Sequence, residues 1–337
     1  MDLFFVLSGF LVSGLLFREY QQGRSISPGR FLIRRGFKIY PQFYLLFAVT
    51  LIVTWVAGST VKPLEVFAEA AFFQNYSAGL WAHTWSLAVE EHFYLLLALG
   101  LTMLARRGAA QSLDDPFRGL PRMIAIACSA ILGLRAATWW IHPAPSDYIH
   151  MFPSHLRMDS LLAGVLLAYY SAFHAGRVRD FAERWRAWIP PVSILFLAPA
   201  AFLDQSDPWM YTIGFSSIAL GFTLLLLSAL NPRGKARQKP PSIAARIMAR
   251  LGRVSYAFYL WHGPVLFADD RLLAQAMARG IAISIFVNLI ATFAATVIVA
   301  FVTTWLAELP FLRLRDRWFP SRAARSANQP AAVAVPV

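Results

Sequence analysis

Long runs of apolar residues, separated by short polar stretches, fill the chain from its first residues to about residue 306. A bilayer-spanning α-helix needs roughly 17 to 25 consecutive, mostly apolar residues. Most of the runs have about this length, and the runs 2–17 and 254–268 are somewhat shorter. The segments are 2–17, 41–58, 85–105, 122–141, 159–174, 187–203, 209–230, 254–268 and 280–306. The pattern predicts an all-α fold, a polytopic transmembrane helical bundle with nine spans in this sequence.

The connections between these segments are too short to hold a separate soluble domain. We therefore expect residues 1–320 to form one transmembrane domain. The stretch 231–243 is basic and rich in proline, which is typical of a linker, and 321–337 is expected to be a disordered cytoplasmic tail. The composition agrees, because 15% of the residues are charged whereas soluble domains carry about 25%.

The formal net charge of +13 is concentrated in alternate connections. Of the 31 Lys and Arg residues, 26 lie in 18–40, 106–122, 175–188, 231–253 and 307–337. This alternation matches the positive-inside rule and predicts a multi-pass protein of the cytoplasmic membrane with a cytoplasmic C-terminus. It leaves no compact basic face for nucleic acid. The same alternation requires segment 2–17 to enter the membrane from the outside, with Met1 already at the membrane. Nothing before Met1 would carry the N-terminus across, so we expect one helix before Met1 and ten spans in the intact protein.

Two adjacent carboxylates, Glu90 and Glu91, lie inside a predicted span. Ionisable groups there are costly and are functional candidates. Helical spacing lets Trp85, one of the two acids, and Tyr94 share a face, which favours an acid presented to an interior cavity. The alternative is a structural ion pair between helices.

A polar stripe lies along the predicted span 254–268. Ser255, Tyr259 and His262 follow helical spacing and form one polar stripe; His262 suits general acid or base chemistry, unless it only bonds a neighbouring helix. Pro264 is expected to end that helix.

Arg34, Arg35 and Lys38 lie at the cytoplasmic end of another span, where they could hold phosphate groups, although simple topological charge explains them as well.

Four more charges, Asp2, Arg135, Arg157 and Asp159, fall in or at the ends of apolar segments. Arg157 and Asp159 could simply pair with each other, and a functional role for any of the four charges is left equally open. The histidines at 83, 142, 150 and 155 lack the regular ligand spacing of a zinc site, so no metal site is expected.

Several segments in order resemble acyltransferase family 3, a group of integral-membrane O-acyltransferases of surface polysaccharides and related acceptors. They are MDLFFVLSGFLVSGLL, FLIRRGFKIYP, HTWSLAVEEHFYLL, RMDSLLAG, LGRVSYAFYLWHGPVL and AELP. The resemblance covers nearly the whole chain. It implies transfer of an acyl group, usually acetyl, from cytoplasmic acetyl-CoA or another acyl-CoA to a hydroxyl of a saccharide or lipid-linked acceptor. No permanently bound cofactor is implied.

The resemblance also implies roles for individual residues. It places acids at Asp2 and Glu90, the SGF serine and glycine at Ser8 and Gly9, donor-binding cations at Arg35 and Lys38, and the YLWH residues at Tyr259 and His262. The family carries an Arg and, ten residues later, a presumed catalytic His in its first helix. This sequence has neither, because it begins inside the family's second helix.

From the pattern and the resemblance together, we expect a water-accessible cavity lined by Asp2, Glu90, Arg35, Lys38 and His262. Arg34 would assist the donor-binding cations, with Ser8, Gly9, Trp85, Tyr94, Tyr259, Arg157 and Asp159 as substrate-binding or supporting residues. As given, the chain is expected to be inactive for want of the catalytic His. Two other readings stay open: a transporter that moves a lipid or saccharide without forming a bond, and a non-catalytic remnant.

Overall fold

The computed structural model describes residues 1–111, 115–231, 242–279 and 284–320, and this part of the chain contains helices and no strands. It divides into two compact units, residues 1–31 with 62–239 and residues 32–61 with 240–337. The predicted tail 321–337 and most of the predicted linker 231–243 lie outside the described residues. The prediction of a single domain over 1–320 is not tested by this division and stays a prediction.

The described residues of the first unit form ten complete α-helices. They are α1 (Asp2–Gly23), α3 (Pro63–Ala70), α4 (Trp85–Ala110), α5 (Leu120–Ile141), α6 (Asp147–His150), α7 (Met158–Phe173), α8 (Ala175–Arg184), α9 (Ile189–Leu197), α10 (Pro199–Phe202) and α11 (Phe215–Leu230). A π-helical turn, Met210–Gly214, leads directly into α11, and a 3-10 turn, Ser154–Leu156, precedes α7.

Helices α1 and α7 form the centre of this unit and approach each other closely at two glycines. A β-carbon added to Gly9 would lie 2.0 Å from the backbone oxygen of Leu161, and one added to Gly164 would lie 2.1 Å from that of Val6. Small residues let helix backbones approach in membranes, where van der Waals packing contributes much of the association. Phe5, Val12 and Phe17 of α1 are buried.

The chain turns sharply after α7, since α7 and α8 meet at an angle of 110°. His174 lies at the turn and its Nε2 is 3.1 Å from the hydroxyl of Tyr169, which donates to Asp115 Oδ2 at 2.6 Å. Ala182 of α8 packs with Leu167 of α7 in one small apolar core. The rest of α8 is mostly exposed and carries three arginines and two acids.

The second unit contains α2 (Pro28–Val56) from Leu32 onward, with α12 (Ile243–Ala278), α13 (Ile285–Thr303) and α14 (Leu309–Trp318). Two hydrogen bonds join α12 to α2: the Tyr256 hydroxyl donates to the carbonyl of Ile39 at 2.9 Å, and Trp261 Nε1 donates to Gln42 Oε1 at 3.2 Å. A π-helical turn, Thr304–Glu308, links α13 to α14.

Six helical stretches of the described chain are long and apolar enough to cross a membrane, or seven if the bent pair α7 and α8 counts as one. The predicted polytopic helical class is confirmed, but the count of nine spans is not. The segment 187–203 folds as two short helices interrupted before Pro199. The segment 254–268 lies within α12, whose first turns carry Arg246, Arg250 and Arg253. The prediction that Pro264 ends this helix was wrong, because α12 continues through it to Ala278.

Candidate functional site

Two buried ion pairs lie side by side in the first unit, and we refer to Asp2, Arg135, Arg157 and Asp159 as the four-charge cluster. Arg157 Nη2 donates to Asp2 Oδ1 at 2.7 Å, and Arg135 Nη2 donates to Asp159 Oδ1 at 2.6 Å. The pairing of Arg157 with Asp159 that the sequence left open is therefore not formed. Residues two positions apart in a chain entering a helix point in different directions, so each finds its partner on another helix.

The cluster is completed by neutral donors and acceptors. Ser160 donates to Asp2 at 2.9 Å and Ser216 donates to Asp159 Oδ2 at 2.6 Å. Arg135 also donates to the carbonyl of Leu156 at 2.7 Å and to the hydroxyl of Ser216 at 2.9 Å. Buried charges persist when their remaining hydrogen-bonding groups are satisfied in this way, and Arg135 fits that rule well.

Arg157 is different, because it is fully buried and uses only part of its hydrogen-bonding capacity. Its Nε and Nη1 have no hydrogen-bond partner among the described residues. Its guanidinium carbon lies 3.8 Å from the ring centre of Phe215, with Phe5 and Trp85 at 5.8 and 5.9 Å. Two donor groups in this aromatic surrounding are available to an oxygen that carries negative charge.

The first turns of α4 supply the remaining predicted residues of this unit. Trp85 stacks on Phe152 with ring centres 4.9 Å apart, and the Tyr94 hydroxyl lies 2.6 Å from that of Ser8. Glu90 is buried and Glu91 is half-buried. Of the two acids that the sequence left open, Glu90 is thus the more deeply buried.

The predicted donor-binding cations lie on α2 in the second unit. Lys38 forms an ion pair with Glu308, which is 2% exposed. Arg34 donates to the backbone carbonyl of Phe319 and lies 3.5 Å from Asp316. Arg35 is half-buried on the same helix. The charge of Lys38 is therefore already balanced within this unit.

The predicted polar stripe of α12 lies beside its buried face. Tyr256 and Trp261 are buried, whereas Tyr259 and His262 are half-buried and Ser255 is exposed. The Nδ1 group of His262 hydrogen-bonds the carbonyl of Tyr259 in the preceding turn.

The structure brings together Asp2, Ser8, Gly9, Trp85, Tyr94, Arg157 and Asp159 in the first unit. Arg34, Arg35, Lys38, Tyr259 and His262 belong to the second unit. The predicted common cavity combines residues of both units and stays a prediction.

Several polar residues at the site were not singled out from the sequence. Glu308 lies in the AELP segment, which is part of the family resemblance, so the sequence did contain a sign that this acid could be important. Ser154, His92 and Asn75 are joined by hydrogen bonds across long sequence separations, and nothing in the linear pattern marks such a contact. Within the described ranges, no three His, Cys, Asp or Glu residues are grouped so that they could hold a metal ion.

Six described helical stretches of spanning length, together with a buried, hydrogen-bonded charge cluster in the first unit, define a multi-pass α-helical membrane protein. Residues 1–307 match the family described as an acyltransferase domain, Acyl_transf_3. The chain belongs to this family of acyltransferases.

Curated relatives give the same picture. The chain is 27% identical over 289 residues to O-acetyltransferase OatA of Staphylococcus aureus, and 25% identical over 293 residues to peptidoglycan O-acetyltransferase OatA of Listeria monocytogenes. Each alignment covers 79% of this chain but only 45% and 44% of the respective relative. The chain thus spans less than half the length of these relatives. No solved structure matches it.

Proposed function

We propose that this chain is the membrane part of an enzyme that transfers an acyl group, acetyl in the first instance, from acyl-CoA to a hydroxyl of a saccharide or of a lipid-linked acceptor. One observation carries the proposal beyond family membership. Three segments far apart in sequence, around Asp2, Trp85 and Arg157, meet in one buried cluster. These are the segments on which the resemblance to membrane O-acyltransferases rests, and the relatives are O-acetyltransferases, one of them acting on peptidoglycan.

The chemistry requires a group that stabilises negative charge on the acyl oxygen. Arg157 has two buried N–H groups without partners in the described part of the chain. Donors fixed before the reaction act strongly in a water-poor site. We assign Arg157 this role, with Asp2 holding its guanidinium in place and with Glu90 and His262 as candidate acid and base groups.

The acyl donor would bind through Arg35, Arg34 and Lys38, whose positive charges suit its phosphates. Lys38 is paired with buried Glu308. We propose that this ion pair fixes the orientation of the Lys38 ammonium group beside the phosphates of the acyl donor. Arg35 then contributes most of the binding of the donor phosphates.

The orientation in the membrane follows from the distribution of basic residues. Since the five basic stretches alternate with nearly uncharged connections, the protein would lie in the cytoplasmic membrane with its C-terminus in the cytoplasm. Acyl-CoA would reach α2 from that side, and the acceptor would face outward.

Isolated membranes containing the protein, supplied with acetyl-CoA labelled in the acetyl group and with a glycan-chain acceptor, test the proposal. We expect label in an alkali-labile ester on the acceptor. Arg157→Gln should lower that transfer by about 10²-fold or more, in line with loss of an oxyanion donor, while Arg186→Gln, in an exposed basic stretch, should not. Acceptor movement across the membrane without ester formation would support a transporter instead.

A further inference from the structure

A serine and a histidine outside the four-charge cluster lie in hydrogen-bonding contact. Ser154 Oγ is 2.7 Å from His92 Nδ1, and the amide nitrogen of Asn75 is 2.8 Å from the same Oγ. Ser154 and Asn75 are buried, and His92 is half-buried. The three residues come from the loop after α3, from α4 and from the 3-10 turn before α7.

The direction of each hydrogen bond follows from its partners. The Asn75 amide nitrogen also lies 3.3 Å from the carbonyl oxygen of Phe152, which can only accept, so this end of the amide is the donor. Ser154 Oγ therefore accepts from Asn75, and its own proton is directed toward His92.

His92 must then accept at Nδ1 and carry its proton at Nε2. The imidazole also hydrogen-bonds the backbone of Phe72, which gives that proton a carbonyl acceptor. A hydroxyl beside a base that is itself oriented by a third group is the arrangement that activates nucleophiles in covalent catalysis.

The surroundings have two further features found at sites of chemistry. Phe72 adopts a left-handed backbone conformation with φ of 59°, and non-glycine residues held this way cost free energy and concentrate at functional sites. Asn75 Oδ1 is buried and has no hydrogen-bond partner in the described residues, so one acceptor beside the serine is open.

Two aromatic rings lie beside the pair on its exposed side. The rings of Tyr76 and His155 stack with centres 5.8 Å apart, and the Tyr76 ring lies 6.2 Å from that of His92. Tyr76 and His155 are exposed whereas Ser154 is not. The acceptor could approach past these two rings, whose connections the charge pattern assigns to the outside.

We propose that Ser154 is a nucleophile that carries the acyl group as an ester during transfer, with His92 as its general base. This inference rests on the proposed acyltransferase function. In the first half, Ser154 Oγ bonds to the acyl carbon and the carbon–sulfur bond of the thioester donor breaks. The proton of Ser154 passes to His92 Nδ1 and then to the leaving thiolate.

In the second half, the acceptor hydroxyl oxygen bonds to the acyl carbon and the bond to Ser154 Oγ breaks. His92 takes the proton of the hydroxyl and returns it to Ser154. Exclusion of water from the buried serine favours transfer to the acceptor over hydrolysis.

The test uses the whole protein in membranes with labelled acetyl-CoA and no acceptor, quenched in acid and analysed by peptide mass spectrometry. We expect acetyl on the peptide that contains Ser154. Ser154→Ala should abolish this label and His92→Gln should slow it by 10²- to 10⁴-fold, the usual contribution of a positioned base. Ser59→Ala, in an exposed loop, should leave it unchanged.

Ser154→Cys controls for loss of structure, because the cysteine side chain is nearly the same size as serine. If it is acylated, it should form a thioester that neutral hydroxylamine cleaves. A purely structural serine would produce no such species. Acetyl transfer to acceptor at the wild-type rate by Ser154→Ala, or an inserted Cys variant without label, would overturn the nucleophile while leaving acyl transfer intact. A wild-type protein with neither label nor transfer would overturn both proposals.

Discussion

Arg157 Nη2 lies 2.7 Å from Asp2 Oδ1, which joins the first turn of α1 to the start of α7 across 155 positions of sequence. Both side chains are buried. The pair fixes one end of the α1 and α7 packing, and the glycine contacts of Gly9 and Gly164 hold the next turns.

Replacement of Asp2 by Asn should destabilise the protein by about 3–5 kcal/mol, since removing one partner of a buried pair leaves an uncompensated charge. Thermal unfolding in detergent, followed by tryptophan fluorescence, measures the effect. The matched control is Asp316→Asn, because Asp316 is 57% exposed in its pair with Arg315 and exposed pairs contribute about 0–1 kcal/mol. Equal shifts in the two variants would contradict a buried pair.

Replacement of Gly9 by Ala should cost about 1–3 kcal/mol, because the added methyl group meets the backbone of Leu161 and forces α1 and α7 apart. Gly14 lies on the same helix with nothing within 4 Å of an added β-carbon. Gly14→Ala should be neutral or slightly stabilising, since Ala is the better helix former. Comparable loss of thermal stability in both variants would argue against the close approach.

Glu69 should make stability depend on pH near neutrality. Burial raises its pKa from 4.5 to about 7, opposed by hydrogen bonds from Thr84, Leu80 and Trp81. A raised folded-state pKa means that the stabilising contribution is complete below the unfolded pKa and is lost as pH rises through about 7. The loss is on the order of 3 kcal/mol for a shift of this size.

Thermal unfolding between pH 5 and pH 8 checks this dependence. Wild-type protein should lose stability toward pH 8, and Glu69→Gln should remove that slope because the amide does not titrate. Glu65→Gln on the same helix should retain it, since Glu65 faces Lys62 at the surface. A slope that persists in Glu69→Gln would assign it to another group.

Lys38 and Glu308 should behave as a coupled pair. Lys38→Gln leaves the carboxylate of Glu308 buried without its cation and should cost on the order of 2 kcal/mol. The double variant Lys38→Gln/Glu308→Gln should recover most of that loss, and a double-mutant cycle measures the coupling. Lys38→Arg should be tolerated. Additive effects of the two single changes would show that the pair is not coupled.

Arg35→Ala should act on the donor and not on stability, because it removes a proposed phosphate contact. The expected result is a raised KM for acetyl-CoA with unchanged thermal unfolding, measured in the membrane assay. Arg30→Ala, two turns short of Lys38 on the same helix, is the matched control and should leave KM unchanged. If Arg35→Ala leaves both KM and kcat unaltered, the arginine serves topology alone.

The helical class was predictable because the lengths of the apolar segments can be read directly from the sequence. In a bilayer, apolar segments of this length form α-helices, whose backbone hydrogen bonds are satisfied within the segment. The number of spans was less predictable. Pro199 divides one apolar run into pieces, while Pro264 does not end α12, since membrane helices tolerate proline where neighbours satisfy the freed backbone groups.

The candidate site was predicted in its residues more than in its contacts. Buried Asp2, Arg157 and Asp159 were recognisable as charges that an apolar segment should not carry. Their partners were not, because pairing depends on which helix faces which. The contact between His92 and Ser154 crosses 62 positions, and nothing in the linear pattern relates a residue of α4 to one in the turn before α7.

The 110° turn between α7 and α8 sets the depth at which α7 sits in the bilayer. If α7 crosses along the membrane normal, α8 runs within about 20° of the membrane plane, with Arg177, Arg179 and Arg184 exposed. Its three arginines outnumber Asp180 and Glu183, and an amphipathic helix in this orientation lies in the headgroup region of the bilayer. In that position α8 opposes movement of α7 along the membrane normal. The lipid composition of the leaflet that holds α8 would therefore influence how deep in the bilayer the opposite end of α7, with Asp159, lies.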